Sequence, residues 1–498
     1  MLGRRELLRQ GVRALGATTL GAPLFAATAC EGGKGATEPE TRTNRSAGPA
    51  GPVRDIRLAA EPGEIEVGPG TVYQSWFYNG QFPGPEIRVR EGERLRIHVD
   101  NRLPGVGTTV HWHGIPVPNA MDGVPGLTQA PIPAGGEMVY DYPATPAGSY
   151  MYHSHLGLQL DRGLVGPLII EERAPHIDYD REHVLVFDDF LPGAPRPLDE
   201  LAAGSGRSRG AMMGRRSENG MMGRRGRGGM MGGMAGIVPP YAGLLINGRL
   251  PTDPAEFALR RGERLRLRLI NPSSATTYRI ALAGHRLTVC HTDGRPVEPV
   301  TVDSLILGMG ERYDVIVDAE NPGVWPLVAA PLEGDAPSAR ALFRYADAAA
   351  SSAPDDGLPE GLRGGRRLRY TDLQSIETLP DNRPADRRFD LRLSGGMMMR
   401  PDLWAIDGEI WPDAPPLEIR EGERVRVAMS NMSMMLHPMH LHGHFFRVGN
   451  ALKDTVIVEP HMGRVSFDFV ADNPGRWLFH CHNLYHMEAG MAREFRYV

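Results

Sequence analysis

Three stretches of the chain repeat one pattern: Pro85 to Asn101 (PEIRVREGERLRIHVDN), Ala255 to Asn271 (AEFALRRGERLRLRLIN) and Leu417 to Asn431 (LEIREGERVRVAMSN). In each, apolar and polar residues alternate, Gly-Glu-Arg interrupts, and the alternation resumes. A period of two puts successive side chains on opposite faces of a strand, whereas an amphipathic helix shows a period near 3.6. Each copy therefore reads as two half-buried strands about a tight turn, with Gly92, Gly262 and Gly422 at the bend. A second landmark follows each copy: PAGSYMYHSH at 146–155, NPGVWPLVAA at 321–330 and NPGRWLFHCH at 473–482. Two landmarks in three copies predict an all-β chain of three Greek-key β-sandwich domains with antiparallel strands.

The predicted domains run over residues 53–173, 181–346 and 367–498, with a solvated Ala/Ser/Pro/Asp/Gly linker at 347–366. A length of 498 residues suits about three domains. The net charge of −5 gives no reason to expect nucleic acid or an anionic membrane as partner. The start, MLGRRELLRQGVR, pairs Arg4 with Arg5 ahead of a weakly apolar run. It resembles a twin-arginine export signal over residues 1–30, which implies a periplasmic or extracellular protein. Ala27-Thr28-Ala29-Cys30 fits a lipoprotein cleavage site except that Ala27 stands where a larger aliphatic residue is usual, so Cys30 reads either as a lipid anchor or as part of a discarded signal. Residues 31–52 read as a tether that need not fold. With Cys30, Cys290 and Cys481 as its only cysteines, the chain has no disulfide framework. A monomer is expected.

Ten of the 17 histidines fall in four short groups: His111/His113, His153/His155, His437/His440/His442 and His480/His482/His486. Residues two apart on a strand share a face, so each His-X-His aims two imidazoles into one space, as a multinuclear metal site requires. Imidazole with thiolate and thioether favours copper, and the lack of cysteine pairs argues against structural zinc. The second domain has Ala281 and Ala283 where the third has His440 and His442, so it is predicted to hold no copper. The first domain has Ser154 where the third has Cys481, so only the third can build a thiolate-ligated copper, from His437, Cys481, His486 and a long axial bond to Met491. Cys290, without such neighbours, reads as a core residue.

HWHG, HSH, HPMHLHG and HCHNLYHMEAGM together resemble the four copper-binding signatures of the multicopper oxidases, over essentially the whole folded chain. The resemblance implies cupredoxin-like domains and four copper ions. His111 and His440 would hold the type 2 copper, and His113, His153, His155, His442, His480 and His482 the type 3 pair. These ligands come equally from domains one and three, which must then meet, leaving domain two as a spacer and a wall. Electrons taken from a reductant at the type 1 copper would pass from Cys481 through His480 and His482 to dioxygen. Protons are also needed: Asp122 occupies the place of an acid implicated in the family. The second donor is Glu488 or another acid, because Met487 stands where bacterial relatives often carry Glu.

Methionines bear on the reductant. Met212, Met213, Met221, Met222, Met230, Met231 and Met234 recur in a Gly/Arg-rich insertion, while Met397 to Met399, Met432, Met434 and Met435 lie farther on, the last close to His437. Thioethers hold Cu(I), and the pattern resembles the cuprous oxidases of bacterial copper defence. Two departures oppose it: Ser433 replaces the acid expected four places before His437, and Arg215, Arg216, Arg224 and Arg225 would repel a cation. Low-complexity filler is the other reading of the insertion. The candidate functions are thus a cuprous oxidase with laccase-like activity on phenols and amines, a laccase-type phenol oxidase without a copper-defence role, and a non-enzymatic copper-binding protein, which would show lost ligands and does not.

Overall fold

The structure, a computed structural model, describes residues 51–198, 200–201, 238–348, 358–379, 383–397 and 400–498, the side chains of 397 and 400–402 apart. The export segment 1–30, the tether to residue 50, the methionines of 212–234, Met398 and Met399 lie outside the described residues.

The described strands form six sheets, two to a domain. In the first domain, the order Thr71–Tyr78, Val53–Gly68, Arg94–Asn101, Glu137–Pro143 faces Ile87–Arg90, Val165–Glu171, Gly148–His153, His111–His113. The second and third domains each pack a six-stranded sheet on a five-stranded one. The sheets are mixed. Val53–Gly68 runs parallel to Arg94–Asn101, and Ile87–Arg90 parallel to Val165–Glu171, so the expectation of purely antiparallel strands is corrected.

The repeated turn also does something its local pattern does not disclose. Ile87–Arg90 and Arg94–Asn101 lie in opposite sheets, as do Ala255–Leu259 and Arg264–Ile270, and Leu417–Ile419 and Arg424–Asn431. The bend carries the chain across the sandwich and makes no hairpin. Its glutamate closes it: Glu93, Glu263 and Glu423 accept the backbone N–H of Arg90, Arg260 and Arg420 at 2.8, 2.9 and 2.9 Å. Left-handed φ angles of +90°, +79° and +81° at Gly92, Gly262 and Gly422 explain the glycine. The asparagine ending each copy stitches the next loop down. Asn101, Asn271 and Asn431 each donate to two backbone carbonyls and accept the N–H two residues on.

Alternating side chains of both sheets fill each core, with Trp112, Tyr140 and Tyr152 in the first domain and Trp477, Phe467 and Phe479 in the third. Burying a side chain of this kind contributes roughly 1.5–3 kcal/mol. Leu368 and Leu373, assigned by composition to the third domain, are buried in the core of the second. The segment holding them bridges to both domains, at Ser304 and Arg367, Val297 and Ser375, and Gln374 and Asn450. The third sandwich itself starts with Arg387–Met397.

Candidate metal centre

Two antiparallel pairings set the histidines. Strand His111–His113 runs against Gly148–His153 with His111 opposite His153, and His437–Leu441 runs against Arg476–Cys481 with His440 opposite His480. The first and third domains meet edge to edge, joined by Asn119 Nδ2 to the Arg476 carbonyl (2.7 Å) and Asn473 Nδ2 to the Val117 carbonyl (3.1 Å). Eight imidazoles thereby enclose one buried space. His111 stacks on His442 and His113 on His440, each with ring centroids 3.8 Å apart.

Hydrogen bonds orient these rings. The Nδ1 atoms of His111, His153, His440 and His480 lie 2.8, 2.9, 2.9 and 2.9 Å from the carbonyl oxygens of Asp122, Ser154, Asp454 and Cys481. An acceptor at Nδ1 places the proton there and leaves the lone pair on Nε2. The Nε2 atoms of His111, His153, His155 and His440 are buried without a hydrogen-bond partner. His113 is turned the other way. Its Nε2 faces Asp454 Oδ1 and Thr455 Oγ1, both at 3.4 Å, and its Nδ1 is the orphan. His442 Nε2 and His480 Nε2 face each other at 3.0 Å, with Nδ1 of His442 held by Asp122 and Nδ1 of His480 by Cys481.

Buried nitrogens without partners are costly unless a cation takes their lone pairs. Ligand atoms of His111, His440 and His442, of His111, His113 and His153, and of His155, His442 and His480 lie within 4.8 Å of one another in each group. Burial, reinforced by neighbouring imidazoles, holds His113, His155, His442, His480 and His482 well below the ordinary histidine range and brings His153 down to about 3. Neutral rings are the state that ligates a metal. The pocket therefore fits copper ions.

A second cluster is built on Cys481. His437 Nδ1 and His486 Nδ1 lie 3.5 and 3.7 Å from its Sγ, and all three residues are buried. Ser433 Oγ, 2.7 Å from His437 Nε2, turns Nδ1 toward the sulfur. His486 rides on helix Leu484–Glu488, whose first N–H groups are capped by Asn483 Oδ1. Trp404 stacks on the His486 ring at 3.7 Å. Met491 is fully buried, and its carbonyl accepts the Cys481 N–H at 3.0 Å. Burial pushes the Cys481 thiol up, so the bare site favours the thiol, and a bound cation would favour the thiolate.

Of the two expected proton donors, Asp122 is buried against His442 and His111. Glu488 ends the His486 helix, and among the described residues no hydrogen bond ties it to the eight histidines. Asp454 was not anticipated. It is buried, with Oδ1 3.4 Å from His113 and 3.5 Å from His440, and it is clasped by both Arg312 Nη atoms at 2.8 and 2.7 Å. No motif marks it. Its one signal is that Thr455, the next residue, pairs with His440 across the sheet.

Arg312 belongs to the second domain, the domain expected to serve as a spacer and a wall. Gly310, at φ +86°, presses on the pocket so closely that a Cβ there would lie 2.9 Å from the His482 ring and 3.1 Å from the His113 ring. Glu333, also of the second domain, accepts the Leu436 N–H beside His437 at 3.2 Å. Burial raises its carboxyl above the usual range. Met435 is buried close by, while Met432 and Met434 are about half exposed. Cys290 is a buried residue of the second domain, as expected.

Multicopper oxidase family models match residues 60–175, 222–348 and 384–498. The chain is 38% identical to multicopper oxidase MmcO of Mycobacterium tuberculosis, over 89% of this chain and 86% of that one. It is 31% identical to a copper resistance protein A homolog of Pseudomonas syringae pv. tomato, over 87% and 91%. Among solved structures it resembles a laccase from Botrytis aclada, with TM-score 0.72 and 27% identity over 90% of this chain and 88% of that one.

Proposed function

The chain belongs to the multicopper oxidase family, oxidoreductases that use O2, and from that premise we propose that this member is a cuprous oxidase serving copper tolerance, with laccase-like side activity on phenols and amines. The family carries four coppers: one type 1, one type 2 and a type 3 pair. When bound, copper supplies one-electron acceptance at the Cys481 cluster and reduction of O2 to water among the eight histidines.

We assign His437, Cys481, His486 and Met491 to type 1, His111 and His440 to type 2, and His113, His153, His155, His442, His480 and His482 to type 3. Cys481 is one peptide bond from His480 and one from His482, a short covalent path between the two clusters. Asp122 and Asp454 orient four of the imidazoles and are the buried carboxylates nearest to them, suited to handling protons.

One observation carries the Cu(I) reading: where the methionine-rich insertion is rooted. Leu198 and Leu201 before it and Val238 after it belong to one apolar cluster with first-domain Leu127 and Leu160 and third-domain Met435, Met487 and Met491. Both described ends of the insertion thus enter the cluster that holds these type 1-side methionines. Glu333, reaching in from the second domain, provides beside His437 the acid that Ser433 does not. The relatives named for copper resistance support the same reading.

The test is steady-state oxidation of Cu(I) and of a phenol by the intact chain and by a chain lacking 212–234. A lower Cu(I) rate with phenol oxidation spared or improved is expected. Equal Cu(I) rates would instead favour a laccase-type phenol oxidase, the reading that Ser433 and the insertion's arginines support. From residues 1–30 we also propose twin-arginine export to the periplasm or exterior, with Cys30 either a lipid anchor or part of the discarded signal, and we propose a monomer. Cell fractionation of an Arg4→Lys, Arg5→Lys double variant tests the export route.

A further inference from the structure

We propose a fifth metal site, remote in sequence from every assigned copper ligand, in which Glu172, His176 and His291 take a divalent ion of the zinc–copper class. Glu172 follows strand Val165–Glu171 of the first domain, His176 lies in the connection to the second, and His291 stands on strand Leu287–Thr292 of the second. Glu172 Oε1 is 2.9 Å from His291 Nε2 and 3.6 Å from His176 Nδ1, and the two rings are 4.7 Å apart at 63°. One carboxylate oxygen thus lies within reach of two imidazole nitrogens. The side chains are 14%, 19% and 1% exposed in the order Glu172, His176, His291, so the site has a closed back and an open front. Glu172 also lines a surface cavity of about 740 Å³, through which an ion could reach it.

The surroundings hold these groups ready. Arg266 Nη1 binds the other oxygen of Glu172 at 2.6 Å and turns Oε1 toward the histidines. The charge of Arg266 is offset by Asp314, 2.5 Å from Nη2. On the far side of His291, the Cys290 thiol donates to the Asp314 carbonyl at 3.3 Å, which leaves its sulfur to accept from His291 Nδ1 at 3.4 Å. With the proton on Nδ1, Nε2 carries a lone pair and faces a carboxylate oxygen at 2.9 Å. In that tautomer two acceptors face each other, and a metal cation between them would take both lone pairs. Burial, first, keeps His291 below the ordinary histidine range. Although burial works against it, the neighbouring charge of Arg266 helps hold Glu172 below the ordinary carboxylate range. Both are then in the protonation state that ligates metal. Two imidazoles and a carboxylate suit borderline divalent ions better than Mg2+ or Ca2+.

The competing arrangement puts a proton on Nε2, with Arg266 Nη2, 3.3 Å from Nδ1, as donor on the other side. Titration of the fully copper-loaded protein decides between them, with Zn2+ followed by calorimetry and Co2+ by its visible absorption. One equivalent beyond four coppers is expected, weakened roughly tenfold or more in His176→Ala and in Glu172→Gln, with the blue absorption and the oxidase rate unchanged. No additional equivalent, or equal Zn2+ affinity in His176→Ala, overturns the site. His176 is partly exposed and its loss leaves the Arg266 pair intact, so this variant keeps the test decisive if Glu172→Gln does not fold.

Discussion

Asp122 and His442, 320 residues apart in sequence, are held together by the carboxylate oxygens of one at 3.0 and 3.2 Å from Nδ1 of the other. The bond crosses from the first domain to the third and aims His442 Nε2 into the shared pocket. Asp122→Ala should lower copper affinity of that pocket about 10–100-fold, because an unheld imidazole must be ordered when the ion binds. Asp122→Asn, whose amide oxygen still accepts, should lose less. Copper per chain, measured at graded chelator concentrations, checks this. Equal retention by Asp122→Ala and the parent would contradict the orienting role.

Cys481→Ser removes the sulfur but leaves all eight pocket histidines. The variant should lose the intense visible absorption of a thiolate-bound copper and its oxidase activity, and should still bind three coppers. Elemental analysis beside the absorption spectrum reads both. Persistent colour would place the thiolate elsewhere.

Arg312 and Asp454 form a bidentate pair with both side chains buried, joining the second domain to the third. Arg312→Met leaves a buried carboxylate with no cation and should cost about 3–5 kcal/mol in denaturant unfolding. Because Asp454 also touches His113 and His440, the same variant should bind pocket copper less tightly.

Asp161, Asp188 and Asp189 lie buried at the meeting of the domains, with Tyr485 and Tyr241 hydroxyls on Asp161 and the Thr276 hydroxyl on Asp189. Burial, then the charge of Asp161, pushes Asp189 up to about 7. The unfolded chain releases this proton near pH 4, so between pH 4 and 7 the folded state binds more protons. The resulting stabilisation is full below about pH 4 and is lost as pH rises through 7, at about 1.4 kcal/mol per unit. Asp189→Asn keeps an acceptor for the Ala275 N–H but carries no charge. Its melting temperature should fall less than the parent's between pH 5 and 8, and parallel curves would show that Asp189 does not titrate there.

The methionines illustrate what composition can and cannot convey. Thioether content is legible in any sequence, and it pointed to Cu(I). Where the insertion is anchored became visible only when Leu201 was found in the same buried cluster as Met491. Glu333, 103 residues from its partner Leu436, carried no mark at all.

Local periodicity was enough to determine the all-β class, the threefold repeat and the grouping of histidines, because alternation along a strand is a near-neighbour property that each segment expresses by itself. The tertiary structure decided which sheet each half of the Gly-Glu-Arg bend enters, that Leu368 and Leu373 belong to the second core, and that Asp454, Arg312 and Gly310 close the copper pocket. Those outcomes depend on contacts between residues far apart in the chain, whose partners are chosen by how three sandwiches pack and bury charge together. No short stretch of sequence carries that information.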